Sequence, residues 1–145
     1  MFIQALAGRG PPALAVLLSN LPQSFVSGAV LAELTWTRGR LNPQHQDTPK
    51  VLQKYNDALE KIDANKILVA DADEWARAGE LAGTVARALA GGGNSIKTAF
   101  DRMELINDAT TAVVASRAGV TVVTSDRHFD LFLQIDSALN VVFYG

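Results

Sequence analysis

The sequence predicts an α/β fold built around a mostly parallel sheet, and three observations carry that expectation. Short apolar runs of strand length recur along the chain, at Ile67-Leu68-Val69-Ala70, Val120-Thr121-Val122-Val123-Thr124 and Val141-Val142-Phe143-Tyr144. Between them lie longer segments with apolar residues at helical spacing. Proline and glycine mark several of the joints, at Pro11-Pro12, Gly91-Gly92-Gly93 and Gly119. Strands that are apolar throughout and alternate with helices belong to sheets covered on both faces.

The elements follow in order. Pro11-Pro12 precedes Ala13-Leu14-Ala15-Val16-Leu17-Leu18, which predicts a helix from about Pro11 to Ser19, since proline suits a first helical turn. Ser24 to Ser27 is a short strand, and Gly28 to Arg38 a helix with Val30, Leu31 and Leu34 on its apolar face. Leu41 to Pro49 is polar and turn-rich. Val51, Leu52, Tyr55, Leu59 and Ile62 then mark an amphipathic helix over Lys50 to Ala64. After the strand Ile67–Ala70, Asp73 is the expected N-cap of a helix reaching about Leu89. Helical pattern resumes through Phe100 and again over Asn107 to Ala118, with Gly119 as the C-terminal cap.

At 145 residues, 48% of them apolar, the chain is expected to form a single domain over residues 1–145 with a core that needs no covalent staple. It has no cysteine, which excludes thiolate catalysis and Cys-ligated metal and suits a reducing cytoplasm. No stretch approaches the roughly 20 apolar residues of a membrane span, and no signal peptide opens the chain. A net charge of −2 argues against nucleic-acid binding through bulk charge alone. Bound divalent cations would alter that balance, because they add positive charge that a residue count omits.

Three acids fall at or near element boundaries: Glu33 in the helix after the first strand, Asp108 where the Asn107 helix is expected to open, and Asp126 after the strand Val120–Thr124. Ligand sites of open α/β sheets lie beyond the carboxyl ends of the strands, so neighbouring strands would bring these carboxylates together. Such a cluster suits Mg²⁺ or Mn²⁺, which prefer oxygen donors. Taken singly, each acid also reads as a solvated helix residue, a helix-end charge or a turn residue.

The flanking residues are more specific. Val26-Ser27-Gly28-Ala29-Val30-Leu31-Ala32-Glu33-Leu34, Leu105-Ile106-Asn107-Asp108-Ala109-Thr110-Thr111-Ala112 and Gly119 through Phe129, ending Thr124-Ser125-Asp126-Arg127-His128-Phe129, resemble in order and separation the acidic segments of PIN domains, over about Phe2 to Tyr144. The resemblance is to VapC-type toxin ribonucleases of toxin–antitoxin pairs. It implies a PIN-like three-layer α/β/α fold, with Glu33, Asp108 and Asp126 as catalytic metal ligands and Thr124 supporting the site. It also implies hydrolysis of RNA phosphodiesters with Mg²⁺ or Mn²⁺, a cognate antitoxin, a homodimer and a cytoplasmic setting. Arg38 and Arg127 are the candidate phosphate contacts, and the apolar residues of the first two helices are candidates for partner contact. PIN domains open on a strand ending in an Asp-Thr-Asn-like word. Residues 1 to 32 contain no Asp or Glu, so the resemblance implies a domain incomplete at its N-terminus. The alternative is a catalytically impaired PIN-like module that binds a partner or nucleic acid without cleaving.

Other signals resolve into structure. Ile67 to Asp73 has the outline of a strand followed by Asp-x-Asp, yet Glu74-Trp75 follow where an aspartyl-phosphate enzyme needs a small or hydroxyl residue. Gly91-Gly92-Gly93 lacks the Lys-Ser/Thr of a phosphate-cradling loop, and no Gly-x-Ser-x-Gly elbow occurs. His45 and His128 lack zinc-motif spacing, and His128 reads either as a cleft-lining residue or, more simply, as a surface histidine.

Overall fold

The computed structural model describes residues 12–93, 96 and 98–144. The chain divides between Ile67 and Leu68 into two compact units. The α/β class is borne out, with helices dominant; strand pairing among the described residues takes the form of two two-stranded sheets.

The first unit carries α1 (Pro12–Asn20), β1 (Val26–Ser27), α2 (Gly28–Gly39) and α3 (Thr48–Glu60). Ser27 ends β1 and caps α2 at once, its hydroxyl accepting from Val30 N at 3.2 Å. Leu34 is the buried anchor of α2. Helix α3 starts earlier and stops earlier than Lys50 to Ala64. Pro49 sits at its first turn, and Asp63 opens a separate 3₁₀ turn, Ala64–Lys66, by accepting from Asn65 N. That turn leads into β2 (Ile67–Leu68), shorter than the expected Ile67–Ala70, which pairs with β1.

The second unit is built on two long helices, α4 (Ala72–Gly91) and α5 (Ala99–Ala118), followed by β3 (Thr121–Thr124), α6 (Phe129–Ile135) and β4 (Asn140–Phe143). The cap of α4 is Asp71 rather than Asp73. Glu74 stands three residues after Asp71, so the two side chains cap each other's backbone N–H groups, both at 2.9 Å. Glu74 is buried, and its Oε1 lies 3.0 Å from Arg117 Nε, joining the start of α4 to the end of α5.

Helix α5 is continuous where a break was expected between Phe100 and Asn107. Residues 99 to 118 contain neither glycine nor proline, and Thr98 with Asp101 forms a second capping box that starts the helix early. Small residues let α4 and α5 approach: Ala78, Ala82, Ala109 and Ala112 are buried in one cluster with Leu81, Val85, Leu105 and Val113. Gly119 ends α5 at φ 63°, and Val120 N reaches back to Ala115 O at 3.0 Å. A Cβ at Gly119 would meet nothing within 4 Å, so Gly119→Ala tests the backbone alone. Denaturant unfolding should show a loss of about 1–2 kcal/mol, the cost of an L-residue held left-handed; an unchanged midpoint would contradict the assignment.

Strands β3 and β4 run parallel, with Thr121 opposite Asn140 and Thr124 opposite Phe143. Between them α6 buries Phe129 and Phe132, whose rings meet edge to face at 5.2 Å. The sequence assigned nothing here, since seven residues span only two turns and no side chain caps the helix. The crossover leaves Ser125 to His128 as the loop beyond the carboxyl end of β3. No helix among the described residues is long and apolar enough to cross a membrane.

Candidate metal centre

Asp108 lies midway along α5, not at its start, because the helix begins at Ala99. Attraction to the positive end of a helix therefore does not account for it. Its neighbours at helical spacing, Leu105 and Ala112, belong to the buried face, so Asp108 sits half-buried at the margin of that face.

Asp126 is held by its own loop. Thr124, buried at the end of β3, accepts from Asp126 N through Oγ1 at 3.0 Å, and Asp126 Oδ1 accepts from His128 N at 2.8 Å. These two short turns set the carboxylate and bring the following imidazole back toward it. His128 Nδ1 lies 3.5 Å from Asp126 Oδ1. One ligand atom each from Asp108, Asp126 and His128 lie within 4.8 Å of one another.

That donor set fits a divalent cation. Six ligands at about 2.1 Å place opposite donors about 4.2 Å apart, so a span slightly above this closes with small side-chain rotations. Two carboxylates supply hard oxygen donors, and their mutual repulsion is relieved by a cation between them.

The surroundings are polar and tied down. Tyr144 N donates to Thr124 O at 3.0 Å. The Tyr144 hydroxyl bonds the Ser125 side chain; burial raises its pKa and that bond lowers it by less, so it stays protonated at neutral pH. The Arg127 guanidinium stands 4.6 Å from the centre of the Phe143 ring and 3.9 Å from Asp130, and its side chain is largely exposed. Cation–π contact beside an open face leaves its N–H groups partly available to an anion.

The structure thus brings Asp108 and Asp126 together with His128, which is exposed, as a surface histidine was expected to be, and also joins the cluster. The signal was the Asp-x-His spacing across a strand-to-helix loop, where a turn folds the second side chain onto the first. Glu33 lies in the first unit, exposed on α2. Arg38 is on the same helix, and its Nη1 donates to Asn56 Oδ1 at 3.4 Å. The expected loss of an opening strand concerns residues outside those described.

Comparison with known proteins bears on the family and the fold. The family model described as PIN domain matches residues 2–132. A member of the VapBC family of toxin–antitoxin systems, VapBC-5 from Mycobacterium tuberculosis, superposes with a TM-score of 0.52 at 20% identity, covering 83% of this chain and 81% of that one. VapBC2 from Rickettsia felis, solved bound to a DNA fragment from their promoter, gives a TM-score of 0.58 at 18% identity, covering 99% and 92%. No curated protein sequence matches. PIN domains are generally nucleases and typically use divalent metals. With nearly the whole sequence matched by the family model and the fold shared with both solved structures, the chain belongs to the PIN domain family.

Proposed function

We propose that this protein is a metal-dependent ribonuclease, the toxin of a VapBC-type toxin–antitoxin pair. The observation that carries the reading is the meeting of Asp108 and Asp126 beyond the carboxyl end of β3 in a PIN-family chain. These two carboxylates, with Glu33 as the third acid, would hold Mg²⁺ or Mn²⁺ and form the catalytic set. When bound, the ion supplies Lewis-acid activation of water and of the phosphodiester. Thr124 fixes the backbone that presents Asp126, through the hydrogen bond from Asp126 N. Arg127 and Arg38 are placed on exposed surfaces and would receive RNA phosphates, each through local charge rather than a basic face.

Both structural neighbours are VapBC toxin–antitoxin systems, which supports a cognate antitoxin as partner. A homodimer, a cytoplasmic setting and a single domain spanning residues 1–145 complete the proposal. The test is incubation of the protein with labelled single-stranded RNA and with DNA of the same sequence. RNA should be cleaved in Mg²⁺ or Mn²⁺ and spared in EDTA. Binding of RNA without cleavage under any divalent metal would favour the impaired binding module instead.

A further inference from the structure

We infer that His128 is a nitrogen ligand of the metal centre and sets which cation it prefers; this rests on the metal-centre reading above. The imidazole shares a cluster with Asp108 and Asp126 in which all three donor atoms lie within 4.8 Å. It is held there by its own backbone, since His128 N donates to Asp126 Oδ1 at 2.8 Å and the ring then returns to within 3.5 Å of the same oxygen. Part of the side chain remains exposed, which leaves the ring accessible to an ion entering from solvent.

The donor type matters more than the added contact. Mg²⁺ binds oxygen and sheds its water reluctantly, and gains little from imidazole. First-row transition ions gain progressively from nitrogen donors in the order Mn²⁺, Fe²⁺, Co²⁺, Ni²⁺. A carboxylate–carboxylate–imidazole set therefore discriminates against Mg²⁺ in a way that an all-carboxylate set does not. The competing explanation is an imidazole that only pairs with Asp126 and takes no part in metal binding.

The test uses the full chain, Mn²⁺ and Ni²⁺ as probes, and the His128→Gln and Asp126→Asn variants. Gln keeps the backbone N–H that bonds Asp126 while removing the ring nitrogen. Pulsed electron paramagnetic resonance of the Mn²⁺-loaded wild type should show ¹⁴N modulation from a coordinated imidazole, absent in His128→Gln. Calorimetry should show the preference for Ni²⁺ over Mg²⁺ falling at least about tenfold in that variant. Mn²⁺ binding that is lost in Asp126→Asn but shows no ¹⁴N modulation, or an unchanged metal preference in His128→Gln, would overturn the role of His128 and leave the metal centre standing. Absence of Mn²⁺ binding to the wild type, or equal binding by Asp126→Asn, would overturn both.

Discussion

Replacing Asp126 with Asn should lower RNA cleavage on the order of 10²–10⁴-fold while the protein stays folded. Lewis-acid stabilisation by a bound ion is worth several kcal/mol, and each ~1.4 kcal/mol is tenfold in rate. The asparagine preserves what holds the loop: its Oδ1 can still accept from His128 N, and its backbone N still reaches Thr124 Oγ1. It removes the charge that draws the cation. The metal-free protein should be no less stable than the wild type, because one of two neighbouring carboxylates no longer repels the other. Cleavage of labelled RNA together with circular dichroism melting checks both halves. Undiminished cleavage would remove Asp126 from the catalytic set.

The largest effect on stability is expected at Phe132, which is fully buried between the α4–α5 layer and the sheet of the second unit. Phe132→Ala deletes the ring, opens a cavity and removes the edge-to-face contact with Phe129. Such truncations cost about 3–5 kcal/mol, a large share of the roughly 5–15 kcal/mol that holds a domain together. The thermal midpoint should fall on the order of 10 °C. Helix α6 begins directly after the loop bearing Asp126 and His128, so divalent-metal affinity should fall with it. Phe132→Leu keeps most of the volume and should recover much of both losses. A loss below about 1 kcal/mol for Phe132→Ala, on the same scale, would show that α6 is not part of the core.

The sequence revealed most where local chemistry is self-sufficient. Gly119 as a C-cap and the strand before Thr124 rest on residues close together in the chain, and both stand. The cap of α4 was misplaced by two residues because Asp71 and Asp73 are equally able acceptors taken alone; only the reciprocal bond with Glu74 distinguishes them. The continuity of α5 was missed because its opening turns bury little, Leu105 being the one buried residue between Phe100 and Asn107, so the stretch shows no clear apolar face. Helix α6 was missed because its stability comes from Phe129 and Phe132 packing into a core assembled from distant segments.

The candidate site divides in the same way. Asp126 and Thr124 were legible because a strand end and a tight turn fix them together. Asp108 was found by its flanking residues, although its position on the helix was misread. His128 was legible only in part: the Asp-x-His spacing sets it beside Asp126, but its nearness to Asp108 depends on how α5 packs against β3, a contact between segments far apart in sequence.

The most direct measurement of the central claim is anomalous diffraction from crystals of the full chain soaked in Mn²⁺. A single-ion peak is expected with one oxygen each of Asp108 and Asp126 in its inner sphere. Mn²⁺ occupying the crystal elsewhere while Asp108 and Asp126 remain unligated would contradict the account.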